Sequence, residues 1–303
     1  MTETDPLVVC VPNFSEGRRV DVMDAICDAL ARGARLVYRQ ADPEHNRLDT
    51  TVVGSPDEVR ASALAGAAVA VERIDMTTHE GGHPRMGAAD VIPFVPLHGI
   101  SMQEVIELAR AFGAELAETL HIPVYLYDRA ATTADRASLA EVRRGEFEGL
   151  REAVARGERL PDFGPHEIGR AGATAVGARK PLVAFNLYLK GPEDAAKEIA
   201  RAVRESGGGL PAVRAIGFAV PERGAVTVSM NLVDVDVTSP RGAFDAVSAL
   251  AAERGMQVLS SEIVGLVPSA ALAEGDPAYL RLEGFDADEQ ILERLVSAEG
   301  DRR

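Results

Sequence analysis

Residues 78–87 read Thr-His-Glu-Gly-Gly-His-Pro-Arg-Met-Gly, setting His79, His83 and Arg85 in one short loop with three glycines. Imidazole titrates near neutrality, so a single histidine can take a proton and return it within one turnover. Glycines let backbone approach a bound ligand closely. His83, followed by Pro84 and flanked by Arg85 and Asp90, is therefore the candidate acid/base, with His79 and Arg85 as binding residues beside it. The same letters, His79-Glu80-Gly81-Gly82-His83, match the H-E-x-x-H string of zinc proteases. That string works on a helix, where residues four apart share a face. Two glycines at about 1 kcal/mol each and a proline at about 3 kcal/mol oppose a helix here. No third zinc ligand is evident, so no metal is expected.

Three further polar clusters stand out. Asp42-Pro43-Glu44-His45-Asn46-Arg47 lies between two expected strands. Turn chemistry alone accounts for Asp, Pro and Asn there; the functional alternative is that Asp42 orients a catalytic imidazole or accepts a substrate N–H. Pro12-Asn13-Phe14-Ser15-Glu16-Gly17 ends the first strand, either as a ligand position or as a helix entry capped by Ser15. The stretch from Gly164 to Lys180 has glycines at 164, 169, 172 and 177 but neither dinucleotide nor P-loop spacing, so a nucleotide cradle is unsupported. Its Arg170, Arg179 and Lys180 are cations that could meet carboxylates. His98 and His121, beside strand ends with apolar neighbours, read as structural.

The elements that must position these residues alternate along the chain. Short β-branched runs (Val8 to Pro12, Leu36 to Asp42, Asp49 to Gly54, Val91 to Leu97, Pro123 to Tyr127) read as strands. Val20 to Ala31 reads as a helix, Ser55 and Ser101 each cap another, with glutamate three residues on, and Ser138 starts one running to about Gly157. No element is legible from Leu160 to Pro181, and the domain boundary is placed near Gly177, dividing 1–177 from 178–303. The second half spells strand, helix, strand, strand, helix, strand: Leu182 to Leu189, Pro192 to Arg204, Val213 to Val220, Ala225 to Val237, Pro240 to Arg254 and Gln257 to Leu266. A short helical tail follows Pro268. The expectation is an α+β chain of two tandem α/β sandwiches of βαββαβ, ferredoxin-like type, with a substrate cleft between them.

With 32 Lys and Arg against 47 Asp and Glu the net charge is −15, which opposes binding to nucleic acid or an acidic membrane. Only Cys10 and Cys27 occur, so neither a disulfide framework nor a thiolate zinc site is available, and a cytoplasmic location is expected. The N-terminus lacks the basic start of a signal peptide, and no apolar run approaches the roughly 20 residues of a membrane helix.

Taken together, CVPNFSEG at Cys10, DPEHNR at Asp42, HEGGHPRMGAADVIPFVPL at His79, PVYLYD at Pro123, DFGP at Asp162, GARKPLVAFN at Gly177 and VSMNLVDVDVT at Val228 resemble the formiminotransferase family in order across nearly the whole chain. The resemblance implies transfer of a formimino group from N-formimino-L-glutamate to N5 of tetrahydrofolate, in histidine degradation, with the substrates in a tunnel between two subdomains. It puts the catalytic histidine on His83, a supporting aspartate on Asp42, and the folate loop on Gly164, Pro165, Gly169 and Gly172. Asn13, His45, Arg47, His79 and Asn186 fall in matched blocks as binding positions, and Arg85 with Arg179 or Lys180 is expected to neutralise substrate carboxylates. The loop GPHEIGRAG is about one residue shorter than in the animal enzymes and lacks their aromatic residue. The donor could instead be formiminoglycine or a formyl compound, or the chain a non-catalytic folate-binding module. A homodimer is expected, as is a separate cyclodeaminase to close the ring, since 303 residues hold only the transferase half.

Overall fold

The computed structural model describes residues 5–297, and the chain divides after Arg179 into two compact units. The first contains β1 (Leu7–Cys10), β2 (Asn13–Phe14), α1 (Val20–Gly33), β3 (Arg35–Asp42), β4 (Arg47–Gly54), α2 (Pro56–Arg73), β5 (Ala89–His98), α3 (Met102–Leu120), β6 (Val124–Asp128), α4 (Leu139–Val142), α5 (Glu146–Ala155) and β7 (Thr174–Ala178). β1 and β2 form one interrupted line, each pairing antiparallel with both β4 and β5. The break falls at Pro12, which has no N–H to give a ladder, although its carbonyl still accepts from the N–H of Thr50 at 3.1 Å. β3 extends the sheet beyond β4, while β7 and then β6 extend it in parallel beyond β5.

β7 is absent from the sequence reading, which leaves 160–181 as loop. Its five residues, Thr-Ala-Val-Gly-Ala, are all buried, and a parallel strand buried on both faces carries no polar alternation to betray it. Gly177 lies inside this strand, where a Cβ would stand 2.4 Å from the ring of Tyr127. The division of the chain therefore falls just past the expected boundary at Gly177.

The capping signals at Ser55 and Ser101 both form reciprocal capping boxes with Glu58 and Glu104. Ser15 does not cap α1: its hydroxyl donates to the Gly87 carbonyl at 2.8 Å, and the Glu16 carboxylate accepts the N–H groups of Arg18 and Arg19 instead. The helix expected from Ser138 to Gly157 is broken between α4 and α5, because Gly145 adopts φ +82°. Phe14, Ile26, Leu30, Leu48, Ile92, Phe94, Phe112 and Leu116 are fully buried, each stabilising the unit by about 2 kcal/mol.

The second unit holds β8 (Val183–Lys190), α6 (Glu193–Val203), β9 (Val213–Val220), β10 (Ala225–Leu232), α7 (Pro240–Glu253) and β11 (Gln257–Val264). Its sheet is antiparallel in the order β11-β8-β10-β9, with its own core around Phe185, Leu187, Ile199, Val228 and Val247. β10 stops at Leu232 rather than Val237, because the Asp234 carbonyl accepts the N–H groups of Val237 and Thr238 in a turn. Three short helices follow, α8 (Asp276–Tyr279), α9 (Ala287–Gln290) and α10 (Leu292–Ser297). Among the described residues no helix is long and apolar enough to cross a membrane.

Candidate active site

Phe14 pairs with both Leu48 and Ala89, and Thr174 pairs with Val124. The end of β2 and the starts of β4, β5, β7 and β6 thus meet at one end of the first sheet, and the polar loops that sequence alone leaves scattered gather there. Asn46 ties three of them. Its Oδ1 accepts the Gly17 N–H at 2.9 Å and its Nδ2 donates to the Glu80 carbonyl at 2.9 Å. The loops approach so closely that a Cβ at Gly17 would stand 2.2 Å from the Asp42 carbonyl oxygen, and one at Gly81 would stand 2.3 Å from that of His45. Only glycine fits such contacts.

His83 donates its Nδ1–H to the Pro84 carbonyl at 2.7 Å, because a carbonyl can only accept. The tautomer is thereby set, and Nε2 carries the lone pair. Burial, then the guanidinium charges of Arg47 and Arg143, push the His83 pKa down to about 4 against the weaker opposing pull of Pro84 and Asp90. The imidazole is consequently neutral, and a base, at neutral pH. His79 serves the scaffold: Arg85 Nε donates to its Nδ1 at 3.4 Å and its Nε2 lies 3.3 Å from the Asn46 carbonyl. Burial, with the charge of Arg85, holds it below the usual histidine range.

Asp42 does orient an imidazole, that of His45. Its Oδ2 lies 2.6 Å from His45 Nδ1 and its Oδ1 accepts the His45 backbone N–H at 2.9 Å. Burial works to raise the Asp42 pKa, but these bonds outweigh it and hold the carboxyl below its usual range. The rings of His45 and His83 meet edge to face with centroids 6.2 Å apart.

Behind His83 lies a charged cluster. Asp90 is wholly buried; its Oδ2 accepts from Arg47 Nη1 at 2.9 Å and from Arg143 Nη2, and its Oδ1 accepts the Met86 N–H at 2.8 Å. Arg47 also bonds Asn13 and Asp49. Sequence reasoning passes over Arg143 and Asn46. Arg143 is one of several arginines in an expected helix, and nothing in its spacing points to Asp90.

The expected cations sit differently. Arg85 is 8% exposed and spends its guanidinium on Glu146, Glu148 and the His79 carbonyl. Lys180 is paired with Asp234 and Asp236 within the second unit. Arg179 lies beside Tyr127, whose hydroxyl burial pushes up to about 12 while Arg179 pulls it down. Arg170 donates to the Glu72 carbonyl at 2.7 Å. In the expected folate loop Gly172 packs on Met86 and Gly87, whereas Gly164 and Pro165 flank Ala117 and His121 at the end of α3, and Gly169 is exposed. Asn186 lies on β8, in register with Ser229 of β10 and Glu262 of β11. The HEGGH string is not helical, and its two imidazoles have different hydrogen-bond partners. Among the described residues no group of three His, Cys, Asp or Glu side chains is placed to hold an ion.

Residues 7–179 match the formiminotransferase domain, N-terminal subdomain, and residues 184–298 match the formiminotransferase domain. The glutamate formimidoyltransferase of Thermoplasma acidophilum is 44% identical over 295 residues, covering 96% of this chain and 97% of its own length. That of Streptococcus pyogenes is 41% identical over 292 residues, covering 95% and 97%. The formimidoyltransferase-cyclodeaminase of Sus scrofa is 44% identical over 288 residues, covering 92% of this chain but 53% of its own length, so the chain spans about half of that longer relative. Two matched domains and near full-length identity above 40% place the chain in the formiminotransferase family.

Proposed function

We propose that the chain transfers the formimino group of N-formimino-L-glutamate to N5 of tetrahydrofolate, releasing L-glutamate and 5-formimidoyltetrahydrofolate, with His83 as general acid/base. The observation that carries this reading is the set tautomer of His83. Its Nδ1–H is committed to Pro84, its Nε2 carries a lone pair, and burial together with two guanidiniums keeps the ring neutral. The transfer needs such a group. Attack of N5 on the amidine carbon leaves a proton on N5, which must end on the departing glutamate nitrogen. A positioned imidazole contributes about 10²- to 10⁴-fold to such a step. Arg47 and Arg143, which share Asp90 while Arg47 also pairs with Asp49, are the cations beside His83, and both co-substrates bring carboxylates.

Several coarser expectations belong to the same reading. Each unit is read as a ferredoxin-like βαββαβ sandwich, with β6 and β7 added in the first, a reading that the strand order β11-β8-β10-β9 supports. Tetrahydrofolate is a co-substrate, no metal takes part, and the enzyme works in the cytoplasm as a homodimer.

The test is an anaerobic incubation of purified protein with tetrahydrofolate and N-formiminoglutamate, following glutamate release, with formiminoglycine and a formyl donor in parallel and EDTA as control. Release that survives EDTA and is lost in His83→Ala, with folate binding kept, supports the reading. Saturable folate binding without turnover of any donor overturns it in favour of a binding module. Loss of turnover in EDTA would restore the metal alternative.

A further inference from the structure

The site contains a second imidazole that the single-histidine scheme leaves without a task. We propose that His45, held by Asp42, is the general acid that protonates the departing nitrogen, while His83 is the base that takes the proton from the attacking one. This rests on the transferase reading above and assigns the two legs of its proton transfer to different residues.

The geometry carries the division. Both rings commit Nδ1 to an acceptor, His83 to the Pro84 carbonyl and His45 to the Asp42 carboxylate. Among the described residues neither Nε2 has a hydrogen-bond partner, so each ring presents one unoccupied nitrogen. The acceptors differ in kind. A carboxylate at 2.6 Å supports positive charge that develops on the ring it holds, whereas His83 gives its Nδ1–H to a neutral carbonyl with two guanidiniums nearby. Paired groups in opposite environments are how enzymes separate an acid from a base. The charged groups around His83 are Arg47, Arg143 and Asp90, whereas His45 faces the Asp42 carboxylate and the neutral His83 ring. The edge-to-face contact, with centroids 6.2 Å apart, puts the two imidazoles side by side, close enough to serve one bound substrate.

The loops fix this pairing rather than leaving it to side-chain chance. Asp42 binds the backbone N–H of His45 as well as its ring, closing the turn on itself. Gly81 lies directly against the His45 carbonyl, and a Cβ on Gly82 would lie 3.7 Å from His45 Cδ2. The loop that carries His83 is therefore moulded to the one that carries His45.

The balance is complete without a further reactant. The N5 lone pair forms the new C–N5 bond to the protonated amidine, and the C=N π pair moves to the imino nitrogen. His83 Nε2 takes the proton from N5. The His45 imidazolium gives its proton to the glutamate nitrogen, the carbon–glutamate nitrogen bond breaks with its electrons going to that nitrogen, and the amidinium double bond re-forms. L-glutamate leaves as a neutral amine. Each ring then resets its proton with solvent, to which the His45 side chain is 47% exposed.

The decisive experiment compares wild type, His45→Gln and Asp42→Asn with N-formiminoglutamate and with N-formimino-γ,γ-difluoroglutamate, whose amine leaves as a weaker base and needs less acid help. The expected result for His45→Gln is a kcat lowered about 10- to 100-fold with KM for both substrates unchanged. The difluoro donor should restore most of the rate. Asp42→Asn should give a milder version of the same pattern. Unchanged kcat in His45→Gln, or the same loss with both donors, would overturn the assignment while leaving the transferase reading intact. A wild-type protein that releases no glutamate from either donor fails at the earlier step and overturns both.

Discussion

Arg143 reaches across 53 residues of chain to bond the same carboxylate oxygen of Asp90 that Arg47 holds. Asp90 is wholly buried and the two guanidinium side chains are 7% and 13% exposed. Removing one partner from a buried ionic cluster leaves the others uncompensated, at a cost of about 3–5 kcal/mol. Asp90→Asn is expected to lose stability on that scale, read as a fall in the urea midpoint at unchanged slope. A loss below about 1 kcal/mol would mean that water reaches the two arginines.

The same cluster adds to burial in holding His83 neutral. Arg143→Gln removes a cation that opposes its protonation, so the His83 pKa should rise from about 4 toward the ordinary value near 6.5. An NMR titration of the His83 ring, assigned through His83→Gln, reads it directly. No upward movement would show that burial alone holds the ring neutral.

That pKa also bears on stability. Unfolded histidine takes a proton near pH 6.5, whereas folded His83 takes one only near 4. Between these values the unfolded chain binds more protons, so His83 costs the fold stability as pH falls from about 6.5 to 4 and costs nothing above. His83→Gln should flatten this part of the profile relative to wild type. Parallel curves for the two proteins across that window would contradict it.

Arg85 separates a structural cation from a substrate-binding one. Its guanidinium is engaged by Glu146, Glu148 and His79. Arg85→Met should cost roughly 1–2 kcal/mol, since Glu146 and Glu148 are 43% and 60% exposed and can return to water. KM for formiminoglutamate should stay within about threefold, by the same argument that the charge is already spent. A tenfold rise in KM without loss of stability would return Arg85 to the binding role that its sequence position suggests.

Gly81→Ala tests the interlock of the two histidine loops. The new Cβ would stand 2.3 Å from the His45 carbonyl oxygen, so the loops must part, and a displacement of about 1 Å at reacting groups can cost about 10²-fold. A fall of kcat on that scale, with the thermal midpoint nearly held, is expected. Wild-type kcat would show that the loops are not positioned against one another.

Local chemistry is what the sequence determined by itself. Ser55 with Glu58 and Ser101 with Glu104 form the capping boxes that their spacing announces, because a cap satisfies backbone donors within one turn. The strand and helix order of the second unit was legible for the same reason, since amphipathic periods and turn residues act over a few positions. His83 stood out through its loop composition and through the blocks that resemble the formiminotransferases. Partnerships across the chain were decided by tertiary structure alone. β7 is invisible as a pattern because both its faces are buried. Asp42 is expected to support a catalytic imidazole, and the ring it bonds in the fold is that of His45, three residues away in the same turn. Arg143 acquires its importance only when the break at Gly145 and the start of β5 bring it to Asp90. Charge pairing of this kind depends on distances that folding sets, and no spacing along a chain encodes them.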